Sequence, residues 1–268
     1  WLGPKPFPEE SYANLQSWIH YHKGWKIKLW VDRLEKAPYP EIELCHVSSF
    51  TFKYIEDLYK SSENYGEKSD ILRYEILLQE GGVYVDHDVL CLSSFTPLHT
   101  KYDLYAGLQM PGPTFLSTSV LVTNNLIGAA ASHPVIEHAI KLIKERAERV
   151  KKNFSTEHPH VLISKVAHLT FLAFHDAFLA KGTMEGWKNI CFPAYYFNAP
   201  SKKEALCAQH LYAGTWFEGE SLFEKETRRS LFSVTKKCNT LILSLLSLFV
   251  ANSIALSLFL YYKREKRR

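Results

Sequence analysis

Paired cysteines, phosphate-cradling glycine runs and net charge ahead of the C-terminal tail are scarce in this sequence, and each absence narrows its chemistry. Its five cysteines are scattered, with no Cys-x-x-Cys pair, so reduced thiols are expected ahead of a disulfide framework or a zinc site. No glycine-rich phosphate loop and no Gly-x-Ser-x-Gly nucleophile elbow is present to compete for the chemistry. Internal repeats and low-complexity tracts are missing as well. The net charge is +4, and Lys263-Arg264-Glu265-Lys266-Arg267-Arg268 alone contribute five positive charges and one negative. The residues before them are therefore balanced and give nucleic acid no electrostatic hold. The chain opens on Trp1-Leu2-Gly3 rather than methionine. A truncated N-terminus is therefore expected, and the compartment is not legible from that end.

What is present is concentrated in Ser69–Leu90, SDILRYEILLQEGGVYVDHDVL. Ser69 is placed to cap a helix in which Ile71, Leu72, Ile76, Leu77 and Leu78 recur at helical spacing, and Gly81-Gly82 supplies the stop after Glu80. The following residues alternate, placing Val83, Val85, His87 and Val89 on one face of a predicted strand and Tyr84, Asp86 and Asp88 on the other. Two aspartates on one face, about 6.6 Å apart at the strand rise, repel each other unless a cation or water lies between them. Such oxygen ligands suit Mg²⁺ or Mn²⁺, ions that keep positions open for substrate phosphates; a solvated strand edge is the alternative. On the helix, Asp70 and Arg73 stand three apart on one face, where, taken alone, a plain surface ion pair is the better reading than a binding pair.

The run Ser69-Asp70-x-x-Arg73, then Gly81-Gly82-x-Tyr84-x-Asp86-x-Asp88, resembles the sugar-binding segment of the DXD-containing glycosyltransferases. That family takes in yeast initiating α-mannosyltransferases, inositol-phosphoceramide mannosyltransferases and the catalytic domains of clostridial glucosylating toxins. The resemblance implies an α/β chain with the GT-A fold, a nucleotide-sugar-binding domain whose Rossmann-like mixed sheet is flanked by helices. It further implies that Asp70 and Arg73 hold the donor sugar, with Tyr84 in the same binding segment, and that Asp86 and Asp88 serve Mn²⁺ (or Mg²⁺) and the donor diphosphate. Trp1 falls where the family has a tryptophan stacked on the nucleotide base, at the end of its first strand. Asn124 or Asn125 falls where an asparagine helps bind the donor. His210-Leu211-Tyr212-Ala213-Gly214-Thr215-Trp216 resembles the family's terminal His-x-x-x-Gly-Ser-Trp motif, with Thr215 where serine is common and Tyr212 in place of a frequent tryptophan. By that likeness His210 completes the metal shell and Trp216 donates to the leaving diphosphate. Without it, an ordinary aromatic, a turn and a satisfied core histidine would account for Trp1, the asparagines and His210.

The rest alternates as an α/β domain should. Residues 9–22 read as a helix with Tyr12, Leu15, Trp18 and Ile19 on one stripe, Trp25–Val31 as a strand, and Phe50–Lys60 as a second helix. Phe95–Leu98 reads as a turn, and Asp103–Leu108 and Ser119–Asn125 as strands. His133-Pro134 opens a long helix reaching Val150. Leu162–Leu179 reads as a buried helix or helix pair, too interrupted by Lys165, His168, His175 and Asp176 to span a membrane. His158-Pro159-His160 lacks a third ligand at a usable spacing and reads as loop. Asn153-Phe154-Ser155 is a sequon that matters only in a secretory lumen.

From Cys238 to Tyr262 no charge appears, and Leu241–Tyr262 would cover about 30 Å of hydrocarbon as a helix. The predicted organisation is a catalytic domain at 1–220, a basic linker at 221–238, a transmembrane helix at 239–262 and a basic tail at 263–268. Arg228, Arg229, Lys236 and Lys237 load the flank opposite the tail, so the orientation of this single-pass anchor stays open. The function expected is a membrane-anchored, metal-dependent glycosyltransferase. It would move a hexose from GDP-mannose, UDP-glucose or UDP-galactose to a hydroxyl acceptor on a lipid or glycan, with the retention that the resemblance implies. The alternatives are a protein acceptor, as for the toxins, or a tethered nucleotide-sugar-binding protein without turnover.

Overall fold

A computed structural model describes residues 1–110, 120–154, 165–199, 201–215, 241–242, 244–250 and 252–254. Trp1–Met110 and Val120–Gly219 make one compact unit; Pro111–Ser119 and Glu220–Arg268 make another. Of the second unit, the described residues are helical and exposed. Among the described residues no helix is long and apolar enough to cross a membrane. The predicted span at 239–262 is described only in part, and His158, His160, Trp216 and the basic tail lie outside the described residues.

The first unit begins with helix α1 (Glu9–Tyr21), which follows Pro8 and opens on two glutamates that favour the helix N-terminus. Strands β1 (Ile27–Val31) and β2 (Ile42–His46) pair in parallel. Helix α2 (Glu56–Ser61) is shorter than the predicted Phe50–Lys60, because a 3-10 turn at Val47–Ser49 and extended residues precede it. Helix α3 spans Tyr65–Glu80, β3 Gly82–Val85, β4 Val89–Cys91, and α4 Thr96–Lys101. The last corrects the turn predicted at Phe95–Leu98: Pro97 sits in the first helical turn, where its missing N–H costs nothing.

Strands β5 (Leu104–Leu108) and β6 (Val122–Ala129) pair antiparallel; β6 runs straight through Asn124 and Asn125 instead of ending on them. Helix α5 (Pro134–Asn153) is capped by His133, whose Nδ1 accepts the Val135 N–H at 3.2 Å. A π-helical turn (Ala167–Phe171) leads into α6 (Leu172–Lys181), followed by β7 (Asn189–Phe192) and β8 (Ala208–His210).

The central sheet is mixed, in the order β3-β6-β5-β7, while β4 and β8 form a separate antiparallel ladder. Strand alternation divides its side chains between two layers. Leu104, Ala106 and Ile127 pack with Tyr74 and Leu77 of α3, Ile136 and Ile140 of α5 and Phe174 of α6. Tyr105 and Leu126 face the other way, onto Trp18, Phe95, Phe192 and Phe197. The four cysteines among the described residues are free thiols.

Two features of the predicted helix-turn-strand are corrected. The cap of α3 is Asn64, whose Oδ1 accepts the Glu67 N–H at 2.9 Å. Ser69 lies inside the helix, its hydroxyl 3.3 Å from that of Tyr84. The helix stop at Gly81 is as read, with φ 69° and ψ −159°, a backbone region essentially reserved for glycine. A Cβ there would lie 2.6 Å from the Ala131 nitrogen. Gly81→Ala is therefore expected to cost on the order of 2–3 kcal/mol, lowering the thermal midpoint by several degrees, read by circular dichroism. A midpoint within one degree of the unaltered chain would contradict the strain.

Candidate active site

The predicted strand through Val83–Val89 does not run unbroken. It stops at Val85, and residues 86–88 turn, with the Val89 N–H donating to the Asp86 carbonyl at 3.1 Å. Pairing explains the break. β3 is held by β6, whose Asn125 carbonyl still accepts the Asp86 N–H at 2.9 Å, whereas β4 leaves to pair with β8. Asp86 and Asp88 are thus brought together by a turn between two ladders, not by strand alternation. The same ladder sets His210 opposite Val89, so a histidine from late in the chain arrives beside Asp88.

Arg73 is the hub on the helix side. It is only 4% exposed, and its Nη2 lies 2.6 Å from Asp70 Oδ1 and 3.0 Å from Asp86 Oδ1. Its Nη1 donates to the Asn124 carbonyl, and the guanidinium stacks over the Tyr84 ring at 4.2 Å. Burial alone would disfavour the charge, but the two aspartates outweigh it and hold Arg73 firmly protonated. Asp70 is pushed up by burial, against the pull of Arg73 and a hydrogen bond from Thr170. The surface ion pair considered for Asp70 and Arg73 is therefore ruled out by burial. Tyr84, kept neutral by burial, donates to Asp86 Oδ1 at 2.7 Å.

Asp88 is held on the other side. Its Oδ2 accepts the Ala213 N–H at 2.7 Å, and Oδ1 lies 3.4 Å from His210 Nε2. Burial pushes this carboxyl up, yet the hydrogen bond and charge of His210, helped by His87 and Ala213, hold its pKa down at about 2. One ligand atom each from Asp86, Asp88 and His210 lie within 4.8 Å of one another. With Asp86 Oδ1 already accepting from Arg73 and Tyr84, and Asp88 Oδ2 from Ala213, the aspartates are oriented by the kind of supporting hydrogen bonds that metal ligands use. Two hard oxygens and an imidazole are a donor set that fits a divalent cation.

His87, between the aspartates, is clamped at both nitrogens: Nδ1 is 2.7 Å from Ser11 Oγ and Nε2 is 3.0 Å from Thr215 Oγ1. It thereby ties α1 and the loop after β8 to the turn. Trp1 lies edge-on to His87, ring centroids 5.0 Å apart, with its indole N–H on the Lys5 carbonyl at 2.7 Å. It is beside the motif rather than in an assigned strand. Asn124 faces α3, where its amide donates to Tyr74 Oη at 3.2 Å; Asn125 faces away and donates to Asn198 Oδ1 at 2.9 Å. Residues unread in the sequence are Ser11, Tyr74, Thr170 and Ala213. The first three are ordinary residues of helices, and the fourth acts through its backbone, so no local pattern marks them.

Residues 8–105 match the family described as the glycosyltransferase sugar-binding region containing a DXD motif. The match covers α1 through the first residues of β5 and includes Asp70, Arg73, Tyr84, Asp86 and Asp88. Residues 8–105 are a glycosyltransferase sugar-binding region. The chain is 32% identical over 161 residues to "Subversion of eukaryotic traffic protein A" of Legionella pneumophila, covering 54% of this chain and 24% of that one. It is 27% identical over 151 residues to "Mannosyl phosphorylinositol ceramide synthase CSH1" of Saccharomyces cerevisiae, covering 55% and 33%. The chain thus spans a third or less of those two relatives. A solved structure titled "PaToxG Glycosyltransferase" aligns with TM-score 0.48 and 17% identity, over 68% of this chain and 67% of that one. The matched residues end before Asn124, His210 and Thr215, which the fold brings beside Arg73, Asp88 and His87 respectively.

Proposed function

We propose that this chain is a metal-dependent hexosyltransferase of GT-A architecture, moving a hexose from a nucleotide sugar to a hydroxyl acceptor with retention of anomeric configuration. The observation that carries the reading is that Asp86 belongs to two groups at once. On one side it pairs with Arg73, which also holds Asp70; on the other it clusters with Asp88 and His210. That arrangement offers a polar clamp for sugar hydroxyls next to a divalent-cation site for a diphosphate. Asp70 and Arg73 orient the donor sugar, and their shared hydrogen bonds fix that orientation before the donor arrives. Asp86, Asp88 and His210 would hold the ion, which when bound neutralises charge on the departing nucleoside diphosphate. The carboxylates near the sugar stabilise positive charge that develops at its anomeric carbon. Trp1 and Trp216 are assigned to the nucleotide end, Tyr84 and Asn124 to the sugar end.

The mannosyl group in the name of the Saccharomyces cerevisiae relative makes GDP-mannose the first donor to try, ahead of UDP-glucose and UDP-galactose. A lipid or glycan acceptor fits an anchor at 239–262, which would keep the domain at a membrane surface; a protein acceptor is the enzymatic rival. The test is hydrolysis of, and transfer from, these three donors in Mn²⁺ with varied acceptors. Turnover of one of them is expected. Saturable binding without hydrolysis or transfer would replace the enzyme with a tethered binding protein, and no binding at all would overturn the reading.

A further inference from the structure

Thr170 belongs to no motif and lies far along the chain from the sugar-binding segment, yet it touches the centre of the site. It sits in the π-helical turn Ala167–Phe171 and is fully buried, with 0% exposure. Its hydroxyl donates to Asp70 Oδ2, while Arg73 Nη2 occupies Asp70 Oδ1 at 2.6 Å. Both carboxylate oxygens are therefore held, one by each neighbour. The backbone carbonyl of Thr170 also accepts the Tyr74 phenol at 3.2 Å, and Tyr74 Oη in turn accepts the Asn124 amide at 3.2 Å. One residue thus grips α3 at Asp70 and again one turn later at Tyr74.

A buried threonine in a helix commonly turns its hydroxyl back to the carbonyl four residues before. Here that carbonyl, of Val166, lies 2.8 Å away. The hydroxyl has one proton and two acceptors, and the carboxylate, a charged acceptor, makes the stronger bond. π turns are rare and recur at functional sites. In this one, the wider turn presents Thr170 to α3 just before Ala173, Phe174 and Ala177 continue into the core.

We propose that Thr170 is a positioning residue for the donor sugar, acting through Asp70: its hydroxyl fixes the carboxylate rotamer that accepts the sugar hydroxyls. The inference rests on the donor reading of Asp70 given above. Without the hydroxyl, Asp70 keeps Arg73 but can rotate about its outer bond, so contacts to the sugar weaken while those to the nucleotide and diphosphate do not.

The experiment measures calorimetric binding of GDP-mannose, UDP-glucose and UDP-galactose, with GDP and UDP alone, in Mn²⁺, by the full chain and its variants. Thr170→Val keeps the shape and removes the donor; Thr170→Ser keeps the donor. Thr170→Val is expected to bind the nucleotide sugar about 10-fold more weakly, with the free nucleoside diphosphate bound within twofold of the unaltered chain. Thr170→Ser is expected to restore sugar binding to within about threefold. In an Asp70→Ala background, Thr170→Val should add nothing, because the group it acts through is gone. Unchanged sugar binding by Thr170→Val, an equal loss for sugar and free diphosphate, or a full additional loss in the Asp70→Ala background each overturns the inference while leaving the donor reading standing. If Thr170→Val fails to fold, Thr170→Ser against Thr170→Ala carries the same comparison. Failure of the unaltered chain to bind any of the three nucleotide sugars overturns the donor reading and this inference together.

Discussion

Arg73→Ala is expected to cost about 3–5 kcal/mol of stability, the range for removing one partner of a buried ion pair. That is a large part of the roughly 5–15 kcal/mol that holds a typical domain together. Arg73 is 4% exposed and bridges Asp70 and Asp86. Removing it leaves two carboxylates facing each other across a partly dry site, and its bond to the Asn124 carbonyl is lost with it. A surface pair at the same spacing would contribute only about 0.3–0.5 kcal/mol. Asp70→Ala should be milder, because Arg73 then still has Asp86. Urea unfolding of the two variants side by side decides the matter. An Arg73→Ala midpoint equivalent to less than about 1 kcal/mol of loss would mean that the network carries no structural weight, and its activity could then be interpreted directly.

The second large effect is on turnover. Asp88→Asn should reduce donor hydrolysis by at least about 100-fold in saturating Mn²⁺, since it removes one of the anionic ligands that would hold the cation against the diphosphate. The fold should survive. Asparagine has nearly the shape of aspartate, and its amide oxygen can still accept the Ala213 N–H that Asp88 Oδ2 accepts at 2.7 Å. Chelation of the unaltered chain should abolish turnover as well, and Mn²⁺ in excess of chelator should restore it. Full activity in excess chelator, or an Asp88→Asn variant as active as its parent, would remove the metal from the mechanism and leave Asp70 and Arg73 as the supported part of the site.

Burial changes the meaning of one sequence pattern. Asp70 and Arg73 at i,i+3 look the same in sequence whether the helix face meets water or protein. Only the packing of Tyr84, Asn124 and the π turn around them makes the pair a buried hub. A substitution at Arg73 therefore changes stability and the site together, and Thr170, whose hydroxyl gives its one proton to the Asp70 carboxylate in preference to the Val166 carbonyl, is the better probe of the sugar contacts.

What the sequence by itself determined is local. The 3.6-residue recurrence of apolar residues in α3, the glycine stop at Gly81 and the spacing of Asp70, Arg73, Asp86 and Asp88 all depend on neighbours within a turn or two. These features marked the sugar-binding region correctly. Boundaries set by a single side-chain cap were less legible, since Asn64 and Ser69 are both competent caps and the longer helix buries more. Tertiary structure decided how the aspartates meet. Period-two alternation predicts one strand through Val83–Val89, but β3 and β4 are claimed by different partners, β6 and β8, so the chain must turn between them. That turn, rather than a strand face, joins Asp86 and Asp88. The β4–β8 ladder delivers His210, and the packing of the π turn on α3 delivers Thr170. Those placements follow from long-range strand pairing and helix packing, whose energy comes from burying surfaces distant in sequence; the motif around His210 pointed to that residue but not to the ladder that carries it, and no local pattern pointed to Thr170.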